Sequence, residues 1–505
     1  MKYNFFNFFN LFDKKKKFLF FFLIFLIFFG SLLESLGIAS VAPIISIILE
    51  NNDSLTSNFF IEKTRNYIDL SNINKQNIIL VFIILFITFF VFKNLYLFII
   101  KYFTENFLFN LRHQLSLLIF KNIMFRNYSD LIKKNSSYYI TIIINVVSEL
   151  VNNIYLSFIF LIKELLLLFF IATFLILYDA KMTILMMLSF TLVSLIFYFF
   201  SKKKLANWSK KKIDHDDMQI RSLNEAFALF KFLKISKSEK TLLEKFALNN
   251  LKSNNLSKKV VILNFSPTLL FETLIVIFLG LYLIYLSNTE TKNLIEKIPL
   301  LGVMILAFIR LRPSAGQILQ SFNNLRYGRE YLNQYIQNLT IPSNQLEFKN
   351  YSFKKSLEMR NINFSYGSRK IFSNFDFSIK KGEIIGLQGI TGSGKTTLVE
   401  LILGLQKINN GKIYLDNNDI QGEELFNLIR VGYVTQDIFL MDDTLENNLT
   451  FNDKKNIKKL KEIISHCELD DFISSLDQGV NSSIKENGKN ISGGQKQRIG
   501  LARAL

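Results

Sequence analysis

Long apolar runs fill the chain up to about residue 310, and beyond it short apolar stretches alternate with polar turns. A helix needs about 20 mainly apolar residues to cross the hydrocarbon layer of a membrane. Six runs fit or approach that length, at residues 18–49, 78–100, 165–178, 182–200, 260–286 and 298–309. The third and sixth are short, so they count as spans only if Lys163, Glu164, Arg310 and Arg312 face other helices or an interface.

Two polar stretches between the predicted spans are compatible with helix, at residues 104–137 and 201–259. They are too long for loops without structure of their own. We expect them to extend the membrane helices in pairs, each pair ending in a short turn, near residues 128–134 and 221–230. The alternative is a pair of amphipathic loops that lie on the lipid surface.

Basic runs indicate on which side of the membrane the connections lie. Lysines at 14–17 precede the first predicted span, and lysines at 202–204 and 210–212 follow the fourth. Because Lys and Arg collect in cytoplasmic loops, we expect a multi-pass protein of the cell membrane, inner or plasma, with the N-terminus and the C-terminal part in the cytoplasm. A secretory signal peptide is the alternative for the first run, but that run is long and further runs follow it.

Composition agrees with a membrane part joined to a soluble part. The 505 residues are too many for one core, half of them are hydrophobic, and the net charge is +19. We interpret this charge as a topology marker and expect no nucleic-acid partner. A single cysteine and three scattered histidines argue against zinc or haem chemistry. We predict an α-helical transmembrane domain of six spans with long cytoplasmic helix extensions at residues 1–340, followed by an α/β domain at 341–505.

A glycine-rich segment carries the strongest chemical signal. The run at 383–388 is strand-like, and an apolar helix pattern begins at residue 397. The segment of the phosphate-binding type consists of Gly389, Ile390, Thr391, Gly392, Ser393, Gly394, Lys395, Thr396 and Thr397. Glycines let successive backbone N–H groups and the helix N-terminus point at a phosphate chain. Lys395 then reaches the β- and γ-phosphates of a nucleotide, and the Thr396 hydroxyl binds Mg²⁺.

The glycine-rich segment is a P-loop, so the domain at 341–505 is predicted to be an α/β P-loop NTPase domain. A second segment narrows which kind of P-loop NTPase it is. Ser492, Gly493, Gly494 and Gln495 follow Ile491 and open a helix-compatible run, so they present a hydroxyl and N–H groups to an anion. This segment resembles the signature of the ATP-binding cassette (ABC) family, Leu-Ser-Gly-Gly-Gln, with isoleucine in place of leucine. The alternative is that Ser492 caps a helix and binds no ligand.

Two further positions extend the resemblance. Tyr366, ahead of the first strands, occupies the place of the aromatic residue that stacks on adenine in ABC proteins, and Gln436 matches the family's Q-loop. The resemblance implies that Gln436 senses Mg²⁺ and the γ-phosphate of ATP, with Thr396 as the other contact to the metal. The simpler interpretations are that Tyr366 is a strand aromatic and Gln436 a turn residue.

Six spans ahead of one cassette is the layout of exporter-type half-transporters in this family. The resemblance implies a homodimer, because the signature of one chain closes over the P-loop of another. Binding of ATP and Mg²⁺ then closes the two cassettes, hydrolysis reopens them, and the helix extensions carry the movement to the spans as alternating access. The alternative is a membrane subunit that binds ATP without hydrolysing it.

The chain ends at Leu505, inside the signature helix. The family's Walker B aspartate, catalytic glutamate and switch histidine all follow that helix, and the sequence contains no match to them. We therefore expect a cassette that is incomplete at its C-terminus, in a truncated chain of a longer protein. ATP hydrolysis is then expected of the full-length protein and not of these 505 residues alone.

Residues within the predicted spans bear on the substrate. Three stretches are similar to flippases of lipid-linked oligosaccharides: 34–43, 267–273 and 310–314. The similarity implies export or flipping of a lipid or glycolipid. Glu34, Glu272, Arg310 and Arg312 are candidate substrate contacts, because charges inside a membrane are costly and arginines suit a pyrophosphate. The alternatives are that the arginines snorkel or pair with the two glutamates, and that the exporter moves peptides or drugs.

Overall fold

The computed structural model of the chain describes residues 11–40, 75–178, 180–287, 291–339, 353–420, 425–451, 457–485 and 488–505. The chain forms two compact units, Met1–Arg126 with Leu131–Pro342, and Asn127–Asp130 with Ser343–Leu505. We call them the helical unit and the cassette unit. Residues 41–49 of the first predicted span and the predicted boundary between 340 and 341 lie outside the described residues.

The described chain before residue 340 is helical. Its helices are α1 (Lys14–Ala39), α2 (Lys75–Met124), α3 (Tyr128–Leu131), α4 (Ser136–Thr141), α5 (Val147–Leu150), α6 (Ser157–Tyr178), α7 (Ala180–Ala228), α8 (Phe230–Ser236), α9 (Glu239–Ser287) and α10 (Thr291–Asn338). Two π-helical segments, Ile142–Val146 and Val151–Leu156, join α4, α5 and α6 into one continuous helix. The six predicted runs fall in α1, α2, α6, α7, α9 and α10, which confirms the predicted α-helical bundle.

Membrane-length helices recur through this part of the chain. Five stretches among the described residues are long and apolar enough to cross a membrane: Lys14–Ala39, Leu80–Met124, Ser136–Leu177, Thr183–Ser201 and Glu239–Leu281. The sixth predicted run, 298–309, lies within α10. Each of these helices satisfies its own backbone hydrogen bonds, which is the condition for crossing a hydrocarbon layer.

One hydrophobic cluster surrounds the π-helical segments. Val147 and Ile154 are fully buried there. Gly328 of α10 lies against this surface, and a Cβ atom at the glycine would come within 2.7 Å of the Ile154 Cγ1 atom. The Tyr335 hydroxyl, two turns further along α10, donates a hydrogen bond of 3.1 Å to the carbonyl oxygen of Leu115 on α2. The small residue therefore lets α10 approach closely, and the buried tyrosine fixes it to α2.

A second cluster packs α6, α7, α9 and α10 together. Phe271 of α9 is fully buried in it, with its ring centroid 5.0 Å from that of Phe190 on α7. Glu164 of α6 is also buried, and its carboxylate lies 3.9 Å from the ammonium of Lys163. The glutamate of the short third run thus faces the interior of the unit, as its assignment as a span requires.

The first predicted turn is confirmed. Helix α2 ends at Met124, α3 covers Tyr128–Leu131, and α4 begins at Ser136. The second prediction, a turn within 221–230, is confirmed only in part, because the helix ends inside that interval but the reversal lies beyond it. Helix α7 continues to Ala228, and the chain reverses only after α8, at Lys237, whose φ of 52° is left-handed.

Side-chain contacts explain why α7 runs through the predicted turn. The guanidinium of Arg221 lies 3.0 Å from the Glu225 carboxylate one turn later, and the ammonium of Lys245 on α9 lies 2.6 Å from the same carboxylate. Residues 221–230 contain neither glycine nor proline. Pairs four residues apart favour helix, so the helix ends where these contacts end.

The described part of the cassette unit contains strands and short helices. They are β1 (Ser356–Tyr366), β2 (Arg369–Lys380), α11 (Lys395–Leu403), β3 (Asn410–Leu415), β4 (Asn418–Asp419), α12 (Leu425–Leu428), β5 (Asp443–Thr444), α13 (Leu445–Thr450), α14 (Ile457–His466), α15 (Asp470–Ser474), β6 (Ser483–Ile484) and α16 (Gly493–Ala504). One antiparallel sheet has the order β2-β1-β3-β4, and β5 pairs with β6. A cassette with a β-sheet and helices follows the helical bundle, as predicted.

Two hydrophobic cores lie within the cassette unit. In the first, Leu398 and Leu401 of α11 pack on β1 and β3. In the second, Ile499 and Ala502 of α16 pack with Leu440 and neighbouring residues. The helix that follows the glycine-rich segment and the helix that follows the signature therefore rest on different cores.

The strand predicted at 383–388 is absent from the described structure. These residues have no regular secondary structure, and no described strand pairs with them. Ile384 is 98% exposed, although the apolar run in which it lies predicts a buried strand. A strand exists only when a neighbour takes its backbone hydrogen bonds, and apolar content alone does not supply that neighbour.

Candidate nucleotide-binding site

The glycine-rich segment forms a loop that opens α11. Gly392 and Gly394 have φ values of 84° and 96°, in the left-handed region that favours glycine. A Cβ atom at Gly394 would lie 2.8 Å from Cγ2 of Ile371, so β2 leaves no room for a side chain there. Residues 389–393 are exposed. The loop therefore brings the N-terminus of a nine-residue helix, with its unpaired N–H groups, to an accessible surface.

The Lys395 side chain folds back over this loop. Its ammonium donates hydrogen bonds of 2.7 Å to the carbonyl oxygen of Gly389 and 3.1 Å to that of Ile390. The Ser393 N–H donates to the same Ile390 oxygen at 3.2 Å and closes a turn. A cation held beside helix N–H groups forms a positive cradle, and a phosphate oxygen is a stronger partner for it than a neutral carbonyl.

Tyr366 lies at the end of β1, and the prediction that it precedes the first strands was wrong. Its hydroxyl donates a hydrogen bond of 3.3 Å to the carboxylate of Glu400, on the helix that the glycine-rich loop opens. The Phe364 ring meets it edge-on, with centroids 4.9 Å apart. Burial raises the pKa of the Tyr366 phenol. The ring is thus fixed beside α11 and remains half exposed, as a stacking platform for a base requires.

Ser492 begins the signature helix α16 with a capping box. Its hydroxyl accepts a hydrogen bond of 3.2 Å from the Gln495 N–H, and its own N–H donates one of 2.9 Å to the Gln495 side chain. Nothing lies within 4 Å of a Cβ atom built on Gly493 or Gly494. The first turn of α16 therefore offers a hydroxyl and helix N–H groups on an open surface.

Gln436 is exposed at a bend. The Thr435 hydroxyl donates a hydrogen bond of 2.8 Å to the Asp437 carbonyl oxygen and closes a turn around it. Among the described residues there is no cluster of three or more His, Cys, Asp or Glu side chains that would hold a metal ion alone. The Thr396 hydroxyl and the Gln436 amide oxygen are donors of the chemical type that Mg²⁺ prefers.

The four charged candidates in the membrane helices form two ion pairs. Arg310 of α10 lies 2.7 Å from the carboxylate of Glu34 on α1, and both side chains are largely buried. Arg312 lies 3.1 Å from the carboxylate of Glu272 on α9, and both are 45% exposed. In this conformation each arginine is therefore paired with a glutamate, which is the alternative to a substrate contact.

A buried charge cluster escaped sequence analysis. The ammonium of Lys212 on α7 lies 3.0 Å from the Glu149 carboxylate and 3.3 Å from that of Asp216. Burial alone would lower the pKa of Lys212, but the two carboxylates outweigh it and raise the pKa above its ordinary value. In the sequence this lysine stands out only as part of a basic run. Its spacing of four residues from Asp216 nevertheless predicts an ion pair along one helix face.

Comparisons with known proteins agree with this geometry. The family model described as ABC transporter matches residues 372–505. A putative export ATP-binding/permease protein of Rickettsia bellii is 31% identical over 312 residues, which are 59% of this chain and 53% of that protein. An ATP-dependent lipid A-core flippase of Syntrophus aciditrophicus is 37% identical over 153 residues, 30% of this chain and 26% of that protein. The chain thus spans about half the length of the Rickettsia relative.

The fold has a counterpart among solved structures. The structure of a bacterial Atm1-family ABC exporter with ATP bound matches with a TM-score of 0.77 at 16% identity, over 97% of this chain and 84% of that chain. At this identity the likeness concerns the fold alone. Residues 372–505 therefore match the ABC transporter family model, and the chain has the fold of that exporter structure.

Proposed function

We propose that the protein uses ATP to export or flip a lipid-like or glycolipid substrate by alternating access in a homodimer. The observation that carries this proposal is the accessible glycine-rich loop with the Lys395 ammonium beside a helix N-terminus, in the same chain as membrane-length helices. Such a loop binds the phosphates of a nucleotide, and Mg²⁺ joins them through Thr396. Gln436 is the proposed sensor of the bound metal and γ-phosphate.

The exposed positions of the two anion-binding helix ends support the proposed homodimer. The P-loop helix α11 and the signature helix α16 rest on separate cores, and both N-termini are exposed. A nucleotide on Lys395 of one copy then meets Ser492, Gly493 and Gly494 of the second copy. Closure of two such sites uses the binding energy of two ATP molecules, which supplies the bias for a two-state transporter.

The proposed orientation puts both cassettes in the cytoplasm, where ATP is found. The lysines at 14–17, 202–204 and 210–212 lie at the ends of membrane-length helices. Clusters of this kind favour the cytoplasmic side. The proposed location is therefore a cell membrane, with the N-terminus and the cassette on its inner side.

Two observations support a lipid-like substrate. Proteins named ATP-dependent lipid A-core flippases in Syntrophus aciditrophicus and Pseudomonas fluorescens are similar to about a third of this chain. The Arg312–Glu272 pair is half exposed, so Arg312 remains open to an anionic headgroup, whereas Arg310 and Glu34 are more buried and are proposed to lock α10 to α1. When a substrate phosphate replaces Glu272 as the ion-pair partner of Arg312, the arginine keeps a negatively charged partner.

The test uses the full-length protein in proteoliposomes. We expect vanadate-sensitive ATPase activity and ATP-dependent flipping of a fluorescent polyprenyl-diphosphate sugar, both lost in Lys395→Ala. The matched control is Lys412→Ala, which removes an exposed lysine paired with Asp419 at 3.1 Å. Nucleotide binding without turnover in the unaltered protein would favour a regulatory membrane subunit instead. Equal flipping rates with Arg312→Ala would contradict the headgroup contact.

A further inference from the structure

A cavity of about 550 Å³ lies in the helical unit among α6, α7 and α10. Side chains from one face of α7 line it over about four turns, from Thr183 through Met187 and Phe190 to Tyr198. At 1.5 Å per residue, this wall is roughly 22 Å long. The cavity is therefore elongated along the helix axis within a membrane-length stretch.

The walls of the cavity offer almost no polar groups. Of the hydroxyl residues that line it, Ser194 donates 2.7 Å to the Phe190 carbonyl oxygen and Thr191 donates 2.8 Å to that of Leu188. Both hydroxyls are thus used within their own helix. Leu195, on the cavity wall, is itself well exposed, so the cavity is not sealed from the surroundings of the helices. An elongated apolar space of this kind suits a hydrocarbon chain.

A cation lies beside one end of the cavity, next to the lining residue Tyr198. The guanidinium of Arg326 on α10 stacks on the ring of Tyr198, 3.5 Å from its centroid. Its Nη1 atom donates to two neutral oxygens, the Tyr198 carbonyl at 3.0 Å and the Ser201 hydroxyl at 3.4 Å. Its Nη2 atom is buried and has no hydrogen-bond partner among the described residues. The sequence continues from Ser201 into the lysines at 202–204, which add positive charge at the same end.

We propose that this cavity binds an anionic phospholipid, with an acyl chain along α7 and the headgroup phosphate against Arg326. The hydrogen-bond acceptors of the Arg326 guanidinium are neutral oxygens, and a headgroup phosphate supplies the counter-charge that they lack. The site requires the helical unit to lie in a bilayer, but it is independent of which compound the protein exports. It is also separate from the Arg312–Glu272 pair.

The lone tryptophan of the chain permits a direct test. In the full chain carrying Trp208→Phe, Met187→Trp places a fluorophore in the cavity. Leu188→Trp places the control fluorophore at the next position, on an exposed face of α7. Each protein is reconstituted in mixed vesicles that contain either phosphatidylglycerol or phosphatidylcholine with brominated acyl chains, in a background of unbrominated lipid.

We expect phosphatidylglycerol to quench the cavity tryptophan with a roughly fivefold preference over phosphatidylcholine, and the control tryptophan to show no such preference. Arg326→Gln should abolish the preference, and Arg326→Lys should keep most of it. Arg329→Gln, an exposed arginine one turn further along α10, should change nothing. Equal quenching by both lipids, or a preference that survives Arg326→Gln, would overturn the proposal.

A blocked cavity provides an independent check. Ala315→Phe fills the cavity from the α10 wall, so it should protect the tryptophan at position 187 from both brominated lipids while leaving the control tryptophan quenched. Unchanged quenching at position 187 in that variant would show that the lipid chain lies elsewhere. ATPase activity of the full-length protein is measured in parallel, so failure of lipid binding is distinguishable from failure of the proposed transport function.

Discussion

The guanidinium of Arg310 and the carboxylate of Glu34 lie 2.7 Å apart and join α10 to α1. The second carboxylate oxygen of Glu34 and the Nε atom of Arg310 are buried without hydrogen-bond partners among the described residues. Each charge therefore depends on the other for compensation. Removal of one leaves a buried charge, which costs more than the loss of an exposed pair.

Arg310→Met should lower the free energy of unfolding by about 3 kcal/mol, because Glu34 is left unpaired. Arg312→Met should cost less than Arg310→Met, since Arg312 and Glu272 are both half exposed and Glu272 can change its conformation or protonate when left unpaired. Thermal unfolding of both variants in the same detergent measures the difference. The double variant Glu34→Gln with Arg310→Met should recover much of the loss, and a double variant as unstable as the single one would contradict the pairing argument.

Gly394→Ala should disturb the phosphate-binding loop. The φ of 96° strains any other residue, and the added methyl group meets Ile371 at 2.8 Å. We expect a cost of roughly 1 to 3 kcal/mol in stability and at least tenfold weaker ATP binding by equilibrium titration. The control Gly280→Ala adds a methyl group to open space on α9, away from the nucleotide site. It should leave stability and ATP binding to the P-loop close to those of the unaltered chain.

Ser492 can be tested for two roles separately. Ser492→Ala removes the capping box and should destabilise α16 by about 1 kcal/mol. Ser492→Asp keeps an acceptor for the Gln495 N–H but adds a negative charge where a phosphate has to approach. We expect the aspartate variant to match the unaltered protein in thermal stability and to lose ATPase activity in the full-length homodimer. Retained activity would mean that Ser492 is a cap and nothing more.

Lys212 provides a prediction of pH dependence. Its pKa is raised in the folded protein, so the protonated form is favoured by folding. This stabilisation is fully present below the unfolded pKa of about 10.4 and is lost only as the pH rises through the still higher folded value.

Lys212→Met should therefore lower stability by about 2 to 3 kcal/mol, because Glu149 is partly exposed and softens the cost of a broken buried pair. The difference between the variant and the unaltered protein should be constant from pH 7 to about pH 9. Chemical denaturation at several pH values measures it. A difference that disappears by pH 8 would contradict the raised pKa.

Local patterns predicted much of this molecule. The apolar runs predicted the helices, and the glycines of residues 389–394 predicted a loop before α11 because only glycine tolerates the angles found there. The pattern Ser492–Gln495 predicted a helix start, and the capping box is present. Each of these features depends on residues close together in the sequence, which is why sequence alone was sufficient.

Features that depend on distant partners were predicted less well. The sequence did not decide between a substrate clamp and an ion pair for Arg310, because Glu34 is reached only once α1 and α10 pack. The turn placed near 221–230 lies later, since Lys245 on α9 supports α7 through Glu225. No sequence pattern singles out Arg326, because its contact with Tyr198 and its place beside the cavity arise only when the helices pack.

Residues 383–390 pair with no described strand, and this affects how the protein behaves at high concentration. Ile384 and Ile390 project into solvent, and backbone N–H and C=O groups along the segment have no strand partner among the described residues. An apolar, unpaired edge of this kind is a template for β-aggregation between chains. Preparations of these 505 residues should therefore self-associate in a concentration-dependent way even when every membrane helix is covered by detergent, and Ile384→Lys should suppress it.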